Sequence, residues 1–116
     1  MKIAVIGSRH ATEEVSLRIL QELPANVSEI VSGGAAGVDH LAEQVAESLG
    51  IPLRLFLPDY ERYGKQAPLV RNEQIVDYAD QILAFWDGLS RGTGHTISLC
   101  IKKNKPVRII SIRTSK

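Results

Sequence analysis

Two glycine-rich turns hold the residues best suited to chemistry. Ser32-Gly33-Gly34-Ala35-Ala36-Gly37 and Asp87-Gly88-Leu89-Ser90-Arg91-Gly92-Thr93-Gly94 each follow a short apolar run and open a helical pattern. Such a turn puts backbone N–H groups and a helix N-terminus where an anion can reach them. A third polar turn, Gly7-Ser8-Arg9, follows the first apolar run. Together the three point to one pocket for a phosphate-bearing ligand. Gly33, Gly34 and Gly37 either let the backbone approach a phosphate or ribose, or only make a tight turn. Arg9 and Arg71 carry guanidinium forks that suit phosphate oxygens. Asn72 offers a hydrogen bond to a base or sugar, or caps its own helix turn. Asp39, in the first turn of a helix, holds a ligand hydroxyl or simply complements the helix dipole. Ser90, Thr93 and Thr96 can donate to phosphate oxygens or cap locally, and Asp87 is a candidate ribose contact.

These turns need a scaffold, and the rest of the chain supplies it. Residues 2–7 form a short apolar run ending in glycine, read as a buried parallel strand. Thr12 is the expected N-cap of the next helix, with Glu13 and Glu14 in its first turn and Val15, Ile19, Leu20 and Leu23 on its apolar face. A second strand is expected at 28–32, and a helix on the stripe Val38, Leu41, Ala42, Val45, Ala46 and Leu49, stopped by Gly50. The third strand is placed at 52–57. A long polar connection from Pro58 to Ala67 leads to Pro68 as the first residue of another helix. It contains Tyr60 and Tyr63, on either of which a base could stack, and connections of this kind often act as lids. Strands at 81–86 and 106–110 flank a last helix with Ile97, Cys100 and Ile101 on its stripe. Trp86 reads as core or pocket wall.

Five strands alternating with four helices imply α/β architecture: a five-stranded parallel sheet with right-handed crossovers and helices on both faces. Ligands of such sheets sit outside the carboxyl ends of the strands. Every unusual turn falls there: Gly7–His10, Ser32–Asp39, Pro58–Gly64 and Asp87–His95. The opposite connections are plain. That sorting of polar complexity to one edge is the main argument for a site.

Bulk properties narrow the class. The 116 residues suit a single domain, 1–116, with 111–116 as a frayed tail. Apolar residues make up 44% and charged residues 23%, which argues against disorder. A net charge of +1 does not mark a general nucleic-acid or membrane binder. The lone Cys100 excludes an internal disulfide and fits a reducing compartment, so a cytoplasmic location is expected. No apolar stretch approaches the ~20 residues of a membrane span. No metal or cofactor is expected, since His10, His40 and His95 fall in separate turns and no Cys or paired-carboxylate pattern supports zinc. Cys100 reads as a small buried hydrophobe. The first glycine pattern is Ser-x-Gly-x-x-Gly after the second strand, and Asp59 lies about twenty residues on, which leaves NAD-like binding as an open alternative.

In order, Gly7-Ser8-Arg9, Ser32-Gly33-Gly34-Ala35-Ala36-Gly37-Val38-Asp39, Arg71-Asn72 and Gly92-Thr93-Gly94-His95-Thr96 resemble the SLOG superfamily. That group joins the DNA-processing protein DprA (Smf) to the Lonely Guy phosphoribohydrolases. The chain is most similar to its small bacterial YspA-like branch (DUF2493), along essentially its whole length. The resemblance implies a Rossmann-like fold and a nucleotide or nucleotide-derived ligand. The implied ligand-binding set is Gly7, Ser8, Arg9, Ser32, Gly33, Gly34, Gly37, Asp39, Arg71, Asn72, Asp87, Gly92, Thr93, Gly94, His95 and Thr96. It also implies a homodimer. One departure concerns catalysis. Lonely Guy enzymes carry Pro-Gly-Gly-x-Gly-Thr-x-x-Glu, and Thr96 stands where that Glu would be. Threonine supplies no carboxylate for an oxocarbenium-like centre or for activating water.

Three functions follow in rank order. The first is binding, with or without processing, of a nucleotide-derived small molecule. The second is N-glycosidic or nucleotide hydrolysis by a non-standard residue, with His95, Asp87 and Asp39 as candidates. The third is single-stranded DNA binding by analogy with DprA, helped by the basic residues Lys102, Lys103, Lys105, Arg108, Arg113 and Lys116. Their plain alternative is a solvated face.

Overall fold

Apolar runs too short for helices become the strands of one parallel sheet. In a computed structural model, which describes residues 1–113, β1 (Lys2–Gly7), β2 (Glu29–Ser32), β3 (Leu53–Leu55), β4 (Gln81–Trp86) and β5 (Val107–Ser111) line up in the order β3-β2-β1-β4-β5. All neighbouring pairs are parallel. The central strand β1 is buried from Ile3 to Ile6, as the near-continuous apolar run requires.

Amphipathic helices cover both faces. α1 (Glu14–Glu22) and α2 (Val38–Leu49) bring Val15, Ile19, Val38 and Val45 onto Ile3, Val5, Ile30 and Phe85. α4 (Ala67–Tyr78) and α5 (Arg91–Lys103) bring Ile75, Val76, Ile97 and Cys100 onto Ala4, Ile6, Val31 and Ala84. The chain winds outward from β1 to β3 on one face, then crosses back to β4 on the other. The order therefore reverses between β1 and β4, and a crevice opens above their carboxyl ends. This is the Rossmann-like α/β sheet with helices on both faces.

Several local expectations change. The connection 58–67 contains a four-residue helix, α3 (Tyr60–Tyr63), and a 3-10 turn at Gly64–Gln66. Asp59 starts α3 by accepting the Arg62 N–H at 3.2 Å. α4 begins at Ala67, one residue before Pro68. β3 is three residues long, not six; as an edge strand it pairs only with β2, and all three of its side chains are exposed. Thr12 does not cap α1 with its side chain. Glu13 is the cap residue, already in helical dihedrals, and the entry is a backbone turn from Val15 N–H to the Thr12 carbonyl. Leu20, Leu49 and Ile101 leave their expected stripes and stand 40%, 49% and 69% exposed, outside the strip of each helix that meets the sheet. Ser111, expected to begin a frayed tail, completes β5 against Trp86 instead, and the Ile112 N–H binds the Trp86 carbonyl at 3.0 Å. Residues 114–116 lie outside the described residues. Among the described residues no helix is long and apolar enough to cross a membrane.

Candidate functional site

The crevice at the β1/β4 reversal is a cavity of about 290 Å³. Gly7 and Arg9 from the β1 turn, Asp39 from α2, Arg71 and Asn72 from α4, and Gly92, Thr93 and Thr96 from α5 line it. The first hydrogen bond of α5 runs from the Gly94 N–H to the Ser90 carbonyl at 3.1 Å. The N–H groups of Arg91, Gly92 and Thr93 therefore have no acceptor within the helix. The Ser90 side chain does not cap them; its hydroxyl pairs with that of Thr93 at 3.2 Å. The wall formed by α5 thus presents a helix N-terminus, two threonines and Arg91 to the cavity, an arrangement that attracts an oxyanion.

The first glycine turn behaves differently. The Gly33 and Ala35 N–H groups both donate to Asp39 Oδ2, at 3.2 and 3.4 Å, and the Gly34 N–H donates to Ser32 Oγ at 3.2 Å. The Gly33 and Gly34 N–H groups, expected to cradle a phosphate, are engaged by the carboxylate of Asp39 in α2 and the hydroxyl of Ser32 at the end of β2. Gly37 has φ +76° and ψ −126°, open only to glycine. A β-carbon there would run into the carbonyl oxygens of Ser8 and Arg9, so its bareness lets the β1 turn pack on the start of α2.

Arg71 is the hub. It is half-buried, and its Nη1 donates to the Gly33 carbonyl at 2.6 Å while Nε donates to Asn72 Oδ1 at 3.0 Å. Asn72 has its oxygen engaged in that bond, so its Nδ2 donates to His95 Nδ1 at 3.2 Å. In the neutral ring an accepting Nδ1 places the proton on Nε2. A β-carbon on Gly33 would lie 2.8 Å from Arg71 Nη1 and 2.9 Å from Asp39 Oδ2, so this glycine lets cation and anion close on it from two sides. Burial pushes the Asp39 carboxyl up to about 6, against the opposing pull of the Ala35 N–H, the Arg71 charge and the Gly33 and Gly7 N–H groups. The same burial lowers the Arg71 guanidinium, with the Asp39 charge pulling it back.

The remaining expected site residues sit off the cavity wall. Ser8 is buried and clips β1 to β4: its N–H donates to the Phe85 carbonyl and its Oγ accepts from the Asp87 N–H at 3.1 Å. The Asp87 carboxylate accepts the Leu89 and Ser90 N–H groups at 2.8 and 2.9 Å, which keeps it below the usual carboxylate range. Ser32, Gly34 and Gly37 of the first glycine turn and Gly94 and His95 of α5 do not line the cavity. Of the three catalytic candidates, Asp39 alone reaches it. Thr96 does line it, but its hydroxyl donates back to the Gly92 carbonyl at 3.1 Å. Trp86 braces α5 from below, its indole N–H on the Ser90 carbonyl at 2.9 Å.

Six further lining residues went unread in the sequence: Ile6, Ala35, Pro68, Leu69, Ile75 and Arg91. Arg91 had a signal, a cation opening a helix at the carboxyl edge. Three of the basic residues near the C-terminus are engaged elsewhere in the chain. Lys103 bridges Glu73 and Asp77, Lys105 binds the Ala79 carbonyl, and Arg108 pairs with Glu22. Among the described residues no three His, Cys, Asp or Glu side chains converge as a metal site would require.

Strand order and crevice together define a doubly wound α/β domain with its cavity at the topological switch point. The model of the family described as DNA recombination-mediator protein A matches residues 1–53, which carry the β1 turn and the Ser32–Asp39 turn but neither Arg71 nor α5. Among solved structures, the chain is similar to DNA processing protein A from Helicobacter pylori, determined for its single-stranded DNA binding mode. The TM-score is 0.76 at 24% identity, over 97% of this chain and 66% of that one. At that identity the likeness shows a common fold, and the chain spans just under two thirds of its relative. No curated protein sequence matches.

Proposed function

We propose that the chain binds single-stranded DNA, seating a backbone phosphate in the cavity between Arg71 and the N-terminus of α5. The observation that carries this is Arg71. Its guanidinium is fixed to the Gly33 carbonyl and to Asn72, and it lines a cavity shared with Arg9, Arg91 and unpaired helix N–H groups. The family model over residues 1–53 and the likeness to a protein that binds single-stranded DNA support nucleic acid as the source of the phosphate.

A second reading, a free nucleotide or nucleotide-derived small molecule, is favoured by cavity size: about 290 Å³ sits at the lower end of small-molecule sites. It accords with an SLOG-type chain of the YspA-like branch, which we keep as a proposal together with a homodimer and a cytoplasmic location. Hydrolysis has only Asp39 to draw on at the cavity wall.

Fluorescence anisotropy of a labelled oligothymidylate separates the readings. Binding at low salt is expected, weakened roughly tenfold or more by Arg71→Ala, which removes a charged hydrogen-bonding fork. Arg71→Lys should recover only part of it. If the oligonucleotide does not bind at low salt while a mononucleotide raises the thermal midpoint, the DNA reading falls and the small-molecule reading stands.

A further inference from the structure

The lip of the cavity carries an apolar strip that phosphate binding does not use. Leu57, Tyr60 and Leu69 are 61%, 60% and 42% exposed. The Leu57 side chain lies over Gly34, and Leu69 itself lines the cavity. Tyr60 opens α3, which packs on α4. α4 carries both Leu69 and Arg71 to the cavity, so α3 and its first residue Tyr60 stand beside that wall. Its neighbour Tyr63 is already engaged, with the Arg62 guanidinium 5.4 Å from its ring centre. Asp59 holds α3 through the Arg62 N–H, so the Tyr60 backbone is set before any ligand arrives.

We propose that the exposed Tyr60 ring is a stacking platform for an unpaired base of single-stranded DNA whose phosphate occupies the Arg71 cavity; this rests on the reading given above for that cavity. Charge selects the occupant. Three arginines lining the cavity and an exposed aromatic ring on the adjoining α3 suit a polyanion with flat apolar faces, which is what an unpaired DNA strand offers. The ring then contributes through the base face, independently of base identity, while the arginines answer to the phosphate.

Two labelled oligonucleotides of equal length and charge test this, one of thymidylate and one of abasic residues. The wild-type chain is expected to prefer thymidylate by roughly tenfold, the scale of one base–aromatic stack. Tyr60→Ala should remove that preference and leave the salt dependence of binding unchanged, and Tyr60→Phe should retain the preference. Because Tyr60 is exposed, an unchanged thermal midpoint would confirm that Tyr60→Ala is folded. Equal affinity of the wild-type chain for both strands, or a preference that survives Tyr60→Ala, overturns the platform and leaves the phosphate reading intact. Failure to bind either strand overturns both.

Discussion

Asp39 holds the most strongly perturbed acid in the cavity. It is 5% exposed, and burial raises its carboxyl from 3.8 to about 6. The folded chain therefore binds a proton that the unfolded chain has released between those two values. Stability falls as pH rises through this window, and the cost is complete above about pH 6. A shift of about two units corresponds to about 3 kcal/mol. Urea unfolding of the wild type and of Asp39→Asn should show the wild type gaining on the variant by about 2–3 kcal/mol from about pH 7 to about pH 4. A gap that does not move with pH would mean that burial of the charge is not what destabilises the native state. The residue is nonetheless useful, because its carboxylate binds the N–H groups of Gly33 and Ala35 and so orders the first glycine turn. Asp39 and Arg71 could be picked from the sequence by type and place. That Asp39 turns back onto the glycine loop could not, since its direction follows from where α2 starts.

The elements at the carboxyl edge differ in how tightly their glycines are specified. Gly37 joins β2 to α2 with a dihedral pair closed to other residues, and its missing β-carbon makes room for two carbonyl groups of the β1 turn. Gly37→Ala should cost about 2–3 kcal/mol in urea unfolding, from backbone strain plus collision. Gly92, in the first turn of α5, has open space at its β-carbon position. Gly92→Ala should be neutral or stabilising by a few tenths to about 1 kcal/mol, through helix propensity. If the two variants lose equal stability, the distinction between a packed joint and an open turn is wrong. Strand and helix order were legible here, because a buried parallel strand and an amphipathic helix each carry their own period. The four-residue α3 was not, being shorter than any helical period can reveal. Leu20 and Ile101 were assigned to buried faces by spacing alone, and spacing does not say how wide a strip the sheet covers.

Charge across the whole molecule is nearly balanced at +1, so the distribution matters more than the sum. Lys103, Lys105 and Arg108 make contacts within the chain, remote from the β1/β4 crevice, while Arg9, Arg71 and Arg91 line its cavity. A strand neutralised by three arginines should give a slope of about −2 in log affinity against log salt, from about −0.7 per contact. A slope near −5 would mean that a much wider basic surface takes part. The sequence alone determined the alternation of strands and helices and the gathering of polar turns at one edge, because periodicity and turn chemistry act over a few neighbouring residues. Only the tertiary structure decided which donors stay open to a ligand. The Gly33 carbonyl that holds Arg71 lies 38 residues away along the chain, and the free N-terminus of α5 faces it only because β1 and β4 are neighbours with their helices on opposite faces.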